Sequence, residues 1–486
     1  MKWYLPHLLL LATLAIGACS DFDVPTTTTP DARSEVDPNP TASGLVPPQV
    51  GDRTGSERVV LSLESEFSSV GGLYFDASVG QMVVLVADST QGDQAAARAG
   101  EILAGKLIFS PEDGRQLSNV PVVFQAANYP FSQLVRWSII LLPEMGQTPG
   151  WLLVDADERL NRVRIGIEQE SVRPAVLRAL TAARVPETAV HIESVAPLEM
   201  LLAAPTASTG LSHSLRHRTR PAGSGMEIRN DLGQRCSYGW TVKDGSDWGF
   251  VTAGHCSRHV DYGAGTIGEA FYQNQVTLSD SVGTVAKNRA WNYACYHNGV
   301  PWQGQCGIDA MWIRAASNPD LAQVVAIPSG LQLGNNTPGG VVISKWIPVS
   351  NDTGEQIGGI MATGARKVGR TTGYTGGTIV GTCEHHMLDG RLTLCLNRLE
   401  GASVGEGDSG GPVFGVLPLS FPGPDQIAIP FGITVAGGPL NAFDVGDNTA
   451  RCHSPSTPAT CTLLYAPVAK IDQHLNASFE YGSGPP

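Results

Sequence analysis

A glycine-rich octapeptide, residues 405–412, constrains this sequence more than any other segment. Its serine, Ser409, follows Asp408 and precedes two glycines. Glycine allows a tight backbone turn and a close approach to a bound carbonyl group. Such a turn can direct the N–H groups of Gly407 and Ser409 at one point, as an oxyanion hole requires. Ser409 is therefore a candidate nucleophile. Because a serine hydroxyl is inert at its own pKa, a base must come from elsewhere.

Two upstream segments supply a base and an acid to orient it. His255 lies in the run 251–256, and Asp309 begins an apolar run that ends at residue 313. An acid at the start of an apolar run is typical of a strand mouth rather than of a solvated face. The chain order is His, Asp, Ser, and these residue types suit a general base, an orienting carboxylate and a nucleophile.

At these residues the sequence resembles the chymotrypsin-like serine endopeptidases. It is most similar to the bacterial branch that contains α-lytic protease and the streptogrisins, and residues 236–240 and 367–375 support that branch. The resemblance implies an all-β protease domain of two six-stranded barrels over residues 225–486, with the cleft between the barrels. It also implies hydrolysis through an acyl-enzyme, with no cofactor and no metal.

The resemblance also implies a buried ion pair beside the nucleophile. In the bacterial relatives, the acid before the serine is buried and pairs with an internal cation. Lys367 stands at the matching position, so we expect it to pair with Asp408, and Arg370 is the alternative partner. An unpaired buried carboxylate would be costly.

The predicted substrate pocket departs from the pattern of the relatives. They carry a cysteine shortly before the nucleophile, where this sequence has Ser403. The pocket wall here includes Val435, Ala436 and Gly437, and Glu406 completes the predicted lining. No acid is clearly placed at the pocket base, which favours an apolar substrate side chain over arginine or lysine.

The nine cysteines indicate an oxidising compartment. Eight of them lie after residue 235 and fall into four sequence-local pairs, which is one of many possible connectivities. The predicted disulfides are Cys236–Cys256, Cys295–Cys306, Cys383–Cys395 and Cys452–Cys461. No spacing is typical of a zinc site.

The ninth cysteine, Cys19, ends a leader-like segment. Residues 1–18 have a basic start and a short apolar core, which predicts a signal peptide rather than a membrane span. Residues 16–19 resemble the lipobox of bacterial lipoproteins, which implies lipidation of Cys19; cleavage after Gly17 is the alternative.

Residues 19–56 are rich in Thr and Pro and cannot bury enough apolar surface to fold. We expect these residues to form a disordered tether. The protein would lie in the bacterial cell envelope through its lipid anchor, or outside the cell after processing.

Residues 57–205 are predicted to form a smaller α/β or α+β domain. Residues 71–76 and 157–163 resemble the pro-regions of α-lytic protease relatives, which assist folding and inhibit the enzyme until they are cleaved. The alternative is an accessory domain for substrate or wall binding.

Residues 206–224 form a polar, basic linker in which processing is expected. No internal repeat is seen. The predicted strands are 58–63, 81–87, 151–155, 162–168 and 189–195, and the predicted helices are 94–107, 131–142 and 172–183.

Charge and motifs together favour one function. The net charge of −13 argues against a nucleic-acid partner and against electrostatic docking to anionic lipid. The sequence predicts a monomeric, secreted or lipid-anchored serine endopeptidase, made as a zymogen, with its own pro-region as a partner and a protein or peptide as substrate. The alternative is a lipoprotein adhesin or scaffold on an inactive protease fold. An esterase would place its serine in a GxSxG turn between strand and helix, which this context does not match.

Overall fold

A computed structural model describes the chain from residue 55 onward, with gaps. The predicted leader, Cys19 and the tether up to residue 54 lie outside the described residues. The described residues belong to one compact unit, Gly44–Pro486. They are 55–104, 108–110, 116–117, 119–146, 148–205, 214–216, 218, 220–258, 266–273, 276–288, 293–297, 300–316, 321–328, 343–349, 363–418, 426–444, 449–452, 461–477 and 479–481.

Helices and strands alternate in the described N-terminal part. The helices are α1 (Gly55–Glu66), α2 (Gly92–Leu103), α3 (Phe131–Met145) and α4 (Arg173–Ala183). The strands are β1 (Val70–Asp76), β2 (Gln81–Val86), β3 (Ile108–Phe109), β4 (Gln116–Leu117), β5 (Val122–Ala126), β6 (Trp151–Asp157), β7 (Arg162–Ile167) and β8 (Val190–Ser194).

The predicted helices and strands of this part are present except at residues 58–63; the predicted helix 94–107 ends at Leu103, and residues 105–107 lie outside the described residues. Residues 58–63 were expected to form a strand but lie in α1. Val60 and Leu63 are three residues apart and are both fully buried, so they share the face of the helix that packs on the core. The run is short and apolar, and such runs suit a strand or a buried helix equally well.

The N-terminal part contains the same ββαβ arrangement twice. β1 and β2 pair antiparallel, and β5 lies parallel to β2 after α2. β6 and β7 likewise pair antiparallel, and β8 lies parallel to β7 after α4. Asn161 joins the two units, because its side-chain N–H donates to the Gly71 carbonyl at 3.0 Å and its side-chain oxygen accepts from the Tyr129 N–H at 2.9 Å. The repeat is one of strand order and pairing direction, so it does not appear as a repeat in the sequence.

From residue 199 the described chain is almost entirely β-strand and ends in one helix, α5 (Val468–Leu475). The strands are β9 (Glu199–Met200), β10 (Ala222–Ser224), β11 (Glu227–Arg229), β12 (Arg235–Ser237), β13 (Thr241–Asp244), β14 (Asp247–Thr252), β15 (Ala270–Tyr272), β16 (Ser281–Asn288), β17 (Tyr293–His297), β18 (Val300–Gly307), β19 (Met311–Ala315), β20 (Leu321–Pro328), β21 (Ile343–Pro348), β22 (Gly364–Gly369), β23 (Gly373–Leu388), β24 (Arg391–Glu400), β25 (Val404–Gly405), β26 (Pro412–Pro418), β27 (Gln426–Gly438), β28 (Ala442–Asp444), β29 (Thr449–Cys452) and β30 (Thr462–Pro467).

These strands form two main sheets. The first sheet has seven strands in the order β12-β11-β15-β16-β19-β14-β13. In the second, β22, β23, β24, β30, β27 and β26 pair in a closed ring of six strands. The mostly β fold class is therefore confirmed. The described strands of the first sheet follow an open path, so the double six-stranded barrel stays a prediction.

The second sheet continues into the N-terminal part. β23 extends beyond the ring and pairs with β6, with His385 opposite Val154 and His386 opposite Leu153. One continuous set of strands therefore runs from β8 through β7 and β6 to β23. On the far side of the ring, Phe109 packs against Phe431 with ring centroids 6.0 Å apart.

Several charged side chains are buried where β6 meets β23. Glu384 accepts from Arg398 Nε at 2.9 Å, from Arg164 Nη1 at 3.2 Å and from His386 Nε2 at 2.7 Å. Burial opposes its ionisation, but the two guanidinium groups and the imidazole hold the pKa of Glu384 well below its usual range. Asp155 is fully buried nearby, and neither of its carboxylate oxygens has a hydrogen-bond partner among the described residues. Burial, followed by the charge of Glu384, raises the pKa of Asp155.

Replacing Asp155 should stabilise the protein at neutral pH. An acid whose pKa is raised by folding contributes stability below its unfolded pKa of about 4, and this contribution is lost as the pH rises toward the folded pKa. We expect Asp155→Asn to remove this loss, worth about 1.4 kcal/mol per unit of raised pKa. Melting temperatures between pH 4 and 8, in a Ser409→Ala background, would measure it. The exposed Asp93→Asn is the control. The prediction is contradicted if the melting temperatures of the parent and of the Asp155→Asn variant depend on pH in the same way.

Candidate active site

The structure brings His255, Asp309 and Ser409 together where the first sheet faces the closed ring. His255 Nε2 lies 2.7 Å from Ser409 Oγ, and His255 Nδ1 contacts Asp309 Oδ2. The backbone N–H of His255 also donates to Asp309 Oδ1 at 2.8 Å. The three side chains are at most 1% exposed. They therefore form one buried row of polar groups.

This row determines which imidazole nitrogen carries the proton. A carboxylate can only accept a hydrogen bond, so Nδ1 of His255 donates to Asp309. Nε2 is then left with its lone pair toward the hydroxyl of Ser409. That hydroxyl also lies 3.3 Å from the carbonyl of Val435. The arrangement can accept a proton from Ser409 and return it to another group.

Strand pairing places His255 and Asp309 side by side. His255 lies in the single turn Gly254–Cys256 that follows β14, and Asp309 lies just before β19. β14 and β19 are antiparallel, with Thr252 opposite Met311. A disulfide joins Cys256 in this turn to Cys236 in β12, with 6.1 Å between the Cα atoms. The turn is thus held to two neighbouring strands.

Ser409, the candidate nucleophile, lies in the turn between β25 and β26, and the first sheet holds this turn through Ser237. The backbone N–H of Ser237 donates to the Ser409 carbonyl at 2.7 Å, and its hydroxyl donates to the Gly407 carbonyl at 2.8 Å. Gly407 and Gly410 have φ values of +92° and +81°, which favour glycine. A Cβ atom at Gly410 would overlap the side chain of Thr252. Sequence reasoning missed Ser237, whose role depends on contacts between the two sheets.

The ion pair predicted beside the nucleophile is present. Lys367 Nζ lies 2.6 Å from Asp408 Oδ2, and both side chains are fully buried. Asp408 also accepts from the backbone N–H groups of Thr371 at 2.8 Å, Thr372 at 3.2 Å and Gly405 at 3.1 Å. Burial lowers the pKa of Lys367, whereas Asp408 opposes this shift. The carboxylate therefore holds the strand end before Ser409 and the turn after β22 together.

The alternative cation, Arg370, has a different partner. Its Nε lies 2.7 Å from Glu227 Oε2, and both side chains are fully buried. Glu227 begins β11 in the first sheet, so this second ion pair also joins the two sheets. The sequence offers no signal for it, because nothing local marks Glu227 as buried.

The predicted pocket residues have distinct roles in the structure. The Ser403 carbonyl accepts from the hydroxyl of Thr375 at 3.0 Å, and Glu406 accepts from a backbone N–H at 2.7 Å, so both stabilise loops. Val435, Ala436 and Gly437 lie in β27. The side chains of Val435 and Ala436 are buried in the apolar core. The backbone of β27 brings the Val435 carbonyl close to Ser409, and β9 pairs with β27 at the next two residues.

The structure joins three of the four predicted cysteine pairs: Cys236–Cys256, Cys383–Cys395 and Cys452–Cys461. The side chains of Cys295 and Cys306 lie outside the described residues. Among the described residues, Cys236, His255 and Cys256 lie close enough together to suggest a metal site. The two sulfur atoms are bonded to each other, so they offer no thiolate to a metal.

Comparisons with known proteins find likenesses among solved structures. No protein-family model and no curated protein matches the chain. Thermobifida fusca Protease A is 20% identical, over 54% of this chain and 100% of its own, with a TM-score of 0.32. The Nocardiopsis protease NAPase has the same identity and coverage, with a TM-score of 0.33. Cellulomonas bogoriensis chymotrypsin is 20% identical over 53% of this chain and 96% of its own, with a TM-score of 0.32.

None of the described helices is long and apolar enough to cross a membrane.

Removing the cation from the buried ion pair should strongly destabilise the protein. Lys367→Met leaves the Asp408 carboxylate buried without its counter-charge, which typically costs about 3–5 kcal/mol. Lys243→Met is the matched control. Its exposed contact with Glu480 spans 3.7 Å, and such pairs contribute about 0–1 kcal/mol. Urea unfolding in a Ser409→Ala background measures both. Adding Asp408→Asn to Lys367→Met should recover part of the loss. Equal losses of unfolding free energy in Lys367→Met and Lys243→Met would contradict the prediction.

Proposed function

We propose that this protein is a serine endopeptidase with His255, Asp309 and Ser409 as its catalytic residues. The observation that carries the proposal is the row of contacts from Asp309 through His255 to Ser409 Oγ. A base within hydrogen-bond distance of a nucleophile, itself oriented by a third group, is the arrangement that activates a serine. Burial supports the same function, because these interactions are stronger where water is excluded.

The geometry suggests how each group acts in peptide hydrolysis. Ser409 Oγ attacks the substrate carbonyl carbon while its proton passes to His255 Nε2. The N–H groups of Gly407 and Ser409 stabilise the negative charge that develops on the carbonyl oxygen. His255 then gives the proton to the leaving amine, which leaves an acyl-enzyme. Water attacks this ester by the same route, and Asp309 stabilises the imidazolium in both steps.

We also propose that the enzyme is made as a zymogen in the bacterial cell envelope or outside the cell. Residues 57–205 would act as the pro-region, and the continuous sheet through β6 and β23 supports a specific association between this part and the protease part. The disulfides support an oxidising compartment. Lipidation of Cys19 and a monomeric state complete the proposal and rest on the sequence. The alternative function, a scaffold, requires no reactive serine, so the reactivity of Ser409 distinguishes the two functions.

Covalent labelling tests the proposed function. A fluorophosphonate should label Ser409 in folded protein from whose active site the N-terminal part has been removed. Peptide mass mapping would identify the labelled residue. Ser409→Ala and His255→Ala should each lower kcat about 10⁶-fold, and Asp309→Asn about 10⁴-fold. The exposed Ser279→Ala is the control and should keep full activity. Folded protein with an open cleft that is neither labelled nor active would overturn the proposal in favour of a scaffold.

A further inference from the structure

A short segment of the chain itself lies across the candidate active site. β9, at the end of the N-terminal part, pairs antiparallel with β27, with Met200 opposite Ala436 and Glu199 opposite Gly437. The next residue, Leu201, places its carbonyl oxygen where the Gly407 N–H donates to it. This is one of the N–H groups assigned to the oxyanion hole from the sequence. The segment therefore occupies the position that a substrate carbonyl would take.

The chain continues on the other side of the site and pairs there with the first sheet. The N–H of Ala203 donates to the Arg235 carbonyl at 3.2 Å, and the N–H of Arg235 donates to the Ala203 carbonyl at 3.0 Å. Residues 199–203 are thus held by β27 before Leu201 and by β12 after Leu202. Adding an extended peptide to exposed strand edges is a recurring way to bind it through its main chain. The bond between Leu201 and Leu202 lies where the pairing passes from one sheet to the other.

The side chains around this bond are apolar. Leu201 is fully buried and belongs to the apolar cluster of the ring that also contains Ala402, Val404 and Cys452. Leu202 is half-buried and packs against the cluster around the Cys236 disulfide. The described members of that cluster are apolar, which agrees with the apolar specificity expected from the sequence.

We propose that residues 199–203 are an intramolecular substrate and that the protein cleaves itself between Leu201 and Leu202. This inference rests on the proposed function. Ser409 Oγ bonds to the Leu201 carbonyl carbon, the C–N bond to Leu202 breaks, and His255 gives the proton to the new amino group. Water then releases Leu201 as a free carboxylate. The mature enzyme prefers a leucine-sized apolar residue before the cleaved bond.

The same contacts make the segment a competitive inhibitor until it leaves. While it is bound, the backbone groups of β27 and the Gly407 N–H are occupied, so another peptide cannot pair there. The junction of β6 with β23 keeps the N-terminal part attached after cleavage, which maintains a high local concentration of the inhibitory end. The cleaved bond precedes the predicted linker, residues 206–224, so the new N-terminus differs from one produced by cleavage within that linker.

The first test is the site of cleavage in the full chain. Intact mass and N-terminal sequencing of the secreted wild type should give one fragment that ends at Leu201 and one that begins at Leu202. Ser409→Ala should stay whole. Cleavage by the wild type within residues 206–224 would overturn this inference while leaving the proposed function in place. An uncut wild type would overturn it as well.

A second test changes the side chain before the bond. Leu201→Asp places a charge in an apolar cluster, so we expect self-cleavage to slow roughly 100-fold or more. Leu201→Met should cleave nearly normally because it keeps the volume and polarity. Leu232→Asp is the matched control, since Leu232 is 57% exposed. Equal cleavage rates for Leu201→Asp and the control would overturn the inference.

Leu201→Asp also separates the two proposals. A segment that no longer fits leaves the site open in the uncut chain, so this variant should react with a fluorophosphonate at Ser409 while it is still whole. It should also hydrolyse a peptide with leucine before the bond about 100-fold better, in kcat/KM, than the matching aspartate or lysine peptide. Preference for a charged residue would overturn the inference alone. No labelling of this variant, together with an uncut wild type, would overturn the proposed function too.

Discussion

The buried ion pair between Asp408 and Lys367 is the interaction on which the candidate site depends most. Asp408 is fully buried, and its carboxylate accepts from Lys367 and from backbone N–H groups in two separate turns. An ionised group in such a position is stable only when these donors are in place. The carboxylate therefore fixes the path of the chain that leads to Ser409. The directions of the Gly407 N–H and of the Ser409 side chain follow from that path.

The site exists only where two sheets meet. His255 and Asp309 lie next to strands of the first sheet, and Ser409 lies next to a strand of the closed ring. Ser237 and the ion pair of Arg370 with Glu227 hold the two sheets at a defined distance. The N-terminal part binds the ring twice, through β6 on β23 and through β9 on β27. These two pairings connect the N-terminal part to strands on different sides of the ring.

Two buried acids illustrate how the same group can hold a structure together or weaken it. Asp408 has a cation and several N–H donors, and it stabilises the turn around it. Asp155 lies where the N-terminal part joins the ring, without a hydrogen-bond partner among the described residues. Its charged form is disfavoured by burial and by Glu384, so the junction becomes weaker as the pH rises. The two buried acids therefore affect stability in opposite ways.

The sequence by itself determined the chemistry of the candidate site. Ser409, His255 and Lys367 lie in short runs in which glycine and neighbouring polar residues are tied to one local geometry, so each could be identified without a fold. Most helices and strands of the N-terminal part were also predictable, because their apolar residues follow a local period. The tertiary structure alone decided which distant strands pair: β6 with β23, β9 with β27, and the repeated ββαβ units. Strand pairing depends on register and on burial against residues far along the chain, and no local pattern specifies either. For that reason no local pattern marked Leu201, and only the fold placed its carbonyl beside the Gly407 N–H.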